Sequence, residues 1–205
     1  MGKRTVTERV RNFVRGKGLA RPRDVEDAGF PSSLLYRLRD RGELLEVAPG
    51  LFKHPDTEFT EKHGFAEASK LVPRGVVCLL SALTFHEVGT QMPRRIWMAL
   101  NRENRREPDV SDPPMKFVWF TGPAFEEGQE VHEVEGVEVR VYSVAKTIAD
   151  LFKYRKKIGI DVALEALHEA WRDRLFTMEE LDRYATVCRV RTVMRPYLQA
   201  LTTTP

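Results

Sequence analysis

The sequence has few cysteines, few histidines and no long apolar run. Two cysteines, Cys78 and Cys188, stand among apolar neighbours far apart in the chain, which argues against a disulfide framework and indicates a reducing compartment, the cytoplasm. With five scattered histidines we expect no structural metal site and no cofactor. The longest apolar stretch, residues 76–85, is interrupted by Ser81 and Thr84 and is shorter than a membrane-spanning helix of about 20 residues. We therefore expect no membrane partner.

Enzyme signatures are also missing. His-Glu pairs that lack the second histidine of a zinc-protease helix occur at His86, His132 and His168. No Gly-rich loop precedes Lys146, so this residue is not part of a phosphate-binding loop, and we expect it on an exposed helix surface. Arg140 follows Glu138 where a metal-dependent nuclease would place lysine, and arginine cannot act as a base. We therefore expect no enzyme, with a nuclease or nucleotidyltransferase-like enzyme as the alternative.

Charge is distributed unevenly along the chain. The formal net charge is only +3, but residues 1–55 hold 12 Lys or Arg against 7 Asp or Glu, whereas the rest of the chain is slightly acidic. A basic N-terminal quarter indicates where a polyanion would dock.

The first 55 residues contain three helical patterns followed by a turn. The helices are predicted over 7–15, 22–28 and 33–41, each ended by glycine. Ser32 or Ser33 is expected to cap the third helix. Apolar residues on both sides of Pro49 and Gly50 predict a short hairpin. Three helices followed by a hairpin is the order of a winged helix-turn-helix, which predicts a DNA-binding domain at residues 1–55.

The third helix carries an apolar and a polar face. At 100° per residue, Leu34, Leu35 and Leu38 face the core, and the opposite arc offers groups that bond phosphates and base edges. We predict base-edge contacts from Tyr36 and Arg37. The predicted phosphate contacts are Arg21, Ser32, Ser33, Arg39, Arg41 and Lys53, with Arg23 on the same DNA-binding surface. The alternatives are a solvated helix face and a surface for a partner protein.

The rest of the chain mixes strand and helix patterns. Strands are predicted over 75–80, 95–100 and 116–120, and a hairpin over 129–135 and 137–142. Helices are predicted to be capped by Thr60, Ser143, Asp161 and Thr177, with a short helix over 81–87 and a last helix over 192–201. The fold class is therefore α+β. The N-terminal winged helix-turn-helix is followed at 56–205 by a mixed α/β domain with a small sheet and C-terminal helices.

Several segments in both predicted domains resemble the sequences of one known family. Those of the second domain are GVVCLLSALTFH at 75–86, TQMP at 90–93, IWMA at 96–99, VYSVAKTIADLFK at 141–153 and KIGIDVALEAL at 157–167. Those of the first are LYRL at 35–38, GEL at 42–44 and PGLF at 49–52. Together they resemble the antitoxin family of the AbiE abortive-infection systems.

The resemblance implies a bacterial antitoxin of the type IV toxin–antitoxin class. In that family the winged helix represses its own operon at inverted repeats, and the C-terminal domain counters a nucleotidyltransferase toxin and assists DNA binding. The implied partners are thus double-stranded operator DNA and a toxin that need not form a stable complex. An enzyme targeted by the winged helix and a protein-interaction scaffold are the competing hypotheses.

Overall fold

The protein forms two compact units, each described by itself below. A computed structural model describes residues 5–57, 60–103, 106–110 and 112–203. Unit 1 contains residues 1–71 together with 133–139, and unit 2 contains 72–132 together with 140–205. The chain mixes helix and sheet as predicted, with a winged helix at its N-terminus. Unit 1 extends beyond residue 55, and the division of function between 1–55 and 56–205 stays a prediction.

Unit 1 has the element order of a winged helix. Its elements are α1 (Val6–Lys17), β1 (Leu19–Ala20), α2 (Pro22–Asp27), α3 (Ser33–Asp40), β2 (Leu45–Ala48), β3 (Leu51–Lys53) and α4 (His63–Leu71). The three predicted helices and the hairpin are thus present. The sheet has the order β1-β3-β2, with antiparallel pairing throughout. Sequence reasoning missed β1 because two residues are too short for a strand pattern.

Local signals and apolar packing together fix the helices of unit 1. Thr5 and Glu8 form a capping box at the start of α1, and Pro22 occupies the first turn of α2. The buried core consists of Val10, Val14, Ala20, Val25, Leu34, Leu35, Leu38, Leu44 and Phe52. The apolar arc predicted for α3 therefore faces this core.

The turn at 133–139 belongs to unit 1 and carries a buried carboxylate. Glu135 adopts a left-handed backbone with φ of 53°, and its side chain is only 6 % exposed. The Thr60 backbone N–H and hydroxyl donate to Glu135 Oε1 at 2.9 and 3.1 Å. His63 Nδ1 lies 2.7 Å from Glu135 Oε2. Thr60 was predicted to cap a helix. Helix α4 instead begins at His63, and the Thr60 hydroxyl donates to the Glu135 carboxylate.

Glu135 should make unit 1 sensitive to acid. Burial raises the pKa of Glu135, but hydrogen bonds from His63 and Thr60 outweigh it and hold the pKa below its ordinary value. The folded state thus favours the ionised form. Its contribution is present above the unfolded pKa of about 4.3 and is lost as pH falls through the lower folded value.

We expect Glu135→Gln to destabilise unit 1 by about 1.5–3 kcal/mol at pH 7, the range for hydrogen bonds to a charged group. The difference from the unsubstituted protein should shrink as pH falls below about 4.3. Hydrogen exchange of unit 1 amides between pH 7 and pH 3 measures it. A difference that stays constant with pH would show that the Glu135 charge contributes nothing.

Beyond Leu71, strands lead and helices follow. The elements are β4 (Val76–Val77), α5 (Leu79–Phe85), β5 (Ile96–Asn101), β6 (Met115–Phe120), α6 (Pro123–Glu126), β7 (Gln129–Val134), β8 (Val137–Tyr142), α7 (Val144–Ile158), α8 (Ile160–Arg172), α9 (Met178–Val187) and α10 (Arg191–Thr203). The sheet order is β6-β5-β4-β8-β7. β4 pairs antiparallel with β5 and parallel with β8, and β5 pairs parallel with β6. In the part of the chain that the structure describes, no helix is long and apolar enough to cross a membrane.

Helix α7 lies in the core of unit 2 and corrects one expectation. All nine residues from Val144 to Phe152 are buried, including Lys146 and Asp150. Lys146, expected on an exposed surface, is 0 % exposed. Its Nζ donates to Asp150 Oδ2 at 2.5 Å and lies 4.2 Å from the Tyr142 ring centroid. The four-residue spacing places the two charges on one helix face, where each neutralises the other.

Helix caps in unit 2 follow the sequence at two of three predicted sites. Ser143 accepts a hydrogen bond from the backbone of Lys146 at the start of α7, and Thr177 forms a capping box at the start of α9. Asp161 was predicted to cap α8, but Gly159 is the cap residue. Gly159 has φ of 113°, which lets the chain turn directly from α7 into α8 and leaves Asp161 inside the first turn.

Candidate nucleic-acid interface

The outward face of α3 displays polar groups to solvent. Ser33, Tyr36, Arg37 and Arg41 are exposed in the folded chain, while the opposite face of α3 is fixed in the unit 1 core. Arg41 is the C-terminal cap residue and extends the cationic surface by one turn. The face predicted from the helical wheel is therefore open, and it carries a hydroxyl, a phenol and two guanidinium groups. Such groups bond phosphate oxygens and base edges.

Tyr36 is held at a defined angle on this face. Its ring packs edge-on against Phe52 of β3, with the centroids 5.1 Å apart and the planes at 84°. The Arg39 guanidinium carbon lies 5.3 Å from the Tyr36 ring centroid. Tyr36 nevertheless keeps 39 % of its surface exposed. The contacts position the ring while leaving it accessible, which suits a side chain that reads a groove.

Three predicted interface residues in or next to α2 each contact an acidic residue of that helix, namely Arg21, Arg23 and Ser32. Arg21 is half-buried, and its backbone N–H donates to Asp24 Oδ2 at 2.7 Å. Arg23 is largely exposed, with Nε 3.8 Å from Asp27 Oδ2. Ser32 was predicted as a possible cap of α3; it occupies that position without a side-chain cap bond. Its hydroxyl donates instead to Glu26 at 2.6 Å.

Arg39 is occupied by carboxylates. Its Nη1 donates to Glu46 Oε2 of β2, and its Nε and Nη2 donate to Asp40 Oδ1 at 3.0 and 2.9 Å. Hydrogen bonds to Glu46 and then Asp40 raise the pKa of Arg39. Glu46 Oε1 also accepts the backbone N–H of Gly50 in the wing turn at 2.8 Å. The structure thus ties Arg39 to the wing through Glu46.

Lys53 does not fit its predicted role. It is 7 % exposed and lies on β3, opposite Leu19 of β1 and Leu45 of β2. The sequence prediction did not include β1, and pairing with β1 makes β3 the middle strand of its sheet. The side chain is therefore enclosed, and we omit it from the interface proposed below.

Glu46 and Glu26 are the interface residues that sequence reasoning missed. Glu46 lies seven positions after Arg39, and Glu26 lies six positions before Ser32. Neither spacing corresponds to neighbours within one helix, so no periodic pattern relates the partners. The helix-turn-helix and the wing bring them together. The available signal was the presence of acidic residues such as Glu26 and Glu46 within an otherwise basic segment.

The residues that form this interface match a known family. Residues 8–52, from α1 to the middle of β3, match the model of a family described as transcriptional regulator, AbiEi antitoxin. The predicted AbiEi resemblance is confirmed. The AbiEi-like segment contains α2, α3 and the wing turn. No curated protein matches the chain. The match ends at Phe52, and the resemblance of the segments between 75 and 167 stays a prediction.

Both cysteines of the chain lie in unit 2 and are buried. No cluster of three or more metal-binding side chains is found among the described residues. Burial raises the pKa of the Cys188 thiol to about 12 and holds the pKa of the Cys78 thiol well above its ordinary value, so both stay protonated at neutral pH. Cys188 donates to Asp150 at 3.1 Å. The cysteines are packing residues, as their apolar sequence context indicates.

Proposed function

We propose that the exposed face of α3 in the AbiEi-like segment binds duplex DNA in the major groove. Tyr36 and Arg37 would contact base edges, and Ser33, Arg41 and Arg23 would contact phosphates, with half-buried Arg21 beside them. The observation that carries this proposal is the open hydroxyl, phenol and guanidinium face of α3 within a segment that matches a regulator family. Base-edge contacts from one helix face are how winged helices read sequence.

We propose further that the protein represses its own operon at inverted repeats and counters a nucleotidyltransferase toxin through residues 56–205. Support comes from the family description of residues 8–52 and from the resemblance of the segments between 75 and 167. A regulator that binds DNA would act in the cytoplasm. A nuclease footprint of the protein on its own upstream DNA tests repression, and co-expression with a nucleotidyltransferase encoded next to it tests the antitoxin role.

The proposal assigns no catalysis to the protein. Incubation with nucleotides, transfer RNA or plasmid in the presence of magnesium tests this directly. Glu138 is exposed on β8, and the acidic residues between Glu126 and Glu138 are what motivate the enzyme alternative. A turnover that Glu138→Ala abolishes would replace the regulator proposal with that alternative.

Arg37→Ala should weaken specific DNA binding by about 1–3 kcal/mol, the usual cost of losing a base-edge arginine. Fluorescence anisotropy with a duplex from the upstream region measures it. Arg15→Ala is the matched control. Arg15 is exposed on α1, so this substitution removes the same charge from a different helix of unit 1. Equal losses in the two variants would mean that Arg37 contributes only general charge and that α3 does not read bases.

A further inference from the structure

Glu46 makes contacts with both the wing and α3. One carboxylate oxygen accepts the Gly50 backbone N–H at 2.8 Å, and the other accepts Nη1 of Arg39. Glu46 also lies where the pairing of β2 with β3 changes register, between Glu46 and Ala48. A single side chain therefore connects the wing turn to a cation on the DNA-facing helix.

The charge on Glu46 is well maintained. The Gly50 N–H and then the hydrogen bond from Arg39 lower the pKa of Glu46, against a small opposing effect of burial and of Asp40. The group is therefore ionised wherever DNA binding is measured. Arg39 faces two carboxylates, Glu46 and Asp40, so its local environment carries net negative charge.

This arrangement acts against a phosphate ligand at Arg39. A phosphate would have to displace Glu46 from the guanidinium and approach two carboxylates of its own sign. Arg37 and Arg41, by contrast, have no acidic partner among the described residues and are exposed. Arg39 is therefore occupied by carboxylates, whereas Arg37 and Arg41 are accessible to a phosphate.

We propose that Glu46 is a specificity-determining residue, whose carboxylate withholds Arg39 from the phosphate backbone and keeps duplexes of arbitrary sequence weakly bound. The inference rests on the proposed DNA-binding function. It differs from a purely structural role because it predicts a change in ion release on binding. Most sequence-independent affinity comes from phosphate contacts and the counterions they displace.

The test is Glu46→Gln, which keeps an acceptor for the Gly50 N–H and removes the charge. Binding to a random-sequence duplex should strengthen several-fold at low salt. The slope of log affinity against log salt should steepen by about 0.9, the value for one added phosphate contact. Affinity for the upstream duplex should rise less, so the ratio of specific to random binding falls. Anisotropy titrations at several salt concentrations measure both.

Two variants show whether the effect passes through Arg39. Glu43→Gln removes the same charge from another ion pair of unit 1, with Arg11 at 3.1 Å, and should leave the slope unchanged. In an Arg39→Ala background, Glu46→Gln should no longer steepen the slope. If Glu46→Gln does not fold, Asp40→Asn removes the second carboxylate from Arg39 without touching the wing and should shift the slope in the same direction.

The outcomes separate the inference from the function on which it rests. DNA binding by the unsubstituted protein with an unchanged slope in Glu46→Gln overturns the inference alone. A steeper slope in Glu43→Gln as well overturns it too, because the effect would then be general charge. Failure of the unsubstituted protein to bind either duplex overturns the proposed function.

Discussion

Asp150→Ala is expected to destabilise unit 2 by about 3–5 kcal/mol, the cost of leaving a buried charge without its partner. Asp150 is fully buried on α7 and accepts hydrogen bonds from Lys146 Nζ and from Cys188 Sγ. Without it, the partners left to the Lys146 ammonium among the described residues are the rings of Tyr142 and Phe120, at 4.2 and 4.8 Å. Aromatic faces attract a cation but do not replace a carboxylate in a dry interior.

Urea unfolding followed by tryptophan fluorescence measures this loss, because all three tryptophans lie in unit 2. Asp182→Ala is the matched control; it breaks a surface pair with Arg191 at 2.7 Å, and exposed pairs contribute about 0–1 kcal/mol. The double variant Lys146→Met, Asp150→Leu should recover most of the stability, since an apolar pair can replace a buried ion pair. Equal effects of Asp150→Ala and Asp182→Ala would contradict the role of the buried pair.

Gly136→Ala is expected to give the largest loss in unit 1. Gly136 has φ of 73°, and a Cβ there would overlap the backbone carbonyl of Lys17 at the end of α1. A left-handed alanine costs roughly 1–2 kcal/mol, and overpacking adds about 1–3 kcal/mol. The neighbour is backbone, so it cannot rotate away as a side chain would. Hydrogen exchange of unit 1 amides, or thermal unfolding by circular dichroism, measures the loss.

The chain supplies a control for the conformational part of that cost. Gly42 has φ of 72°, and nothing lies within 4 Å of a Cβ placed there. Gly42→Ala should therefore show the left-handed penalty alone, and the difference between the two variants measures the contact with Lys17. If both variants lose the same stability, the close approach of the two backbones is not important.

Features fixed by neighbouring residues were predictable from the sequence. The Pro49-Gly50 turn, the capping box at Thr177 and the buried face of α3 depend on contacts within a few positions, and each is present. The order of helices and hairpin in the first 55 residues followed from the same local signals. The match of residues 8–52 to a regulator family agrees with that order.

Features that depend on distant partners were not predictable. Thr60 meets a carboxylate 75 positions away, and Asp150 binds a thiol 38 positions away. Lys53 is enclosed because β1 pairs beside it, and Arg39 is neutralised by a wing residue. A single sequence gives helix faces and turns, but not which carboxylate will reach a given cation after the chain folds.

Unit 1, which contains the winged helix, is discontinuous in sequence, and this affects how it should be dissected. A fragment that stops at Leu71 would lack Glu135, the acceptor for Thr60 and His63, and Gly136, the neighbour of Lys17. Its DNA affinity would mix lost stability with lost contacts. Point substitutions in the full chain avoid this, as would a graft that joins 133–139 to the first 71 residues through a short linker.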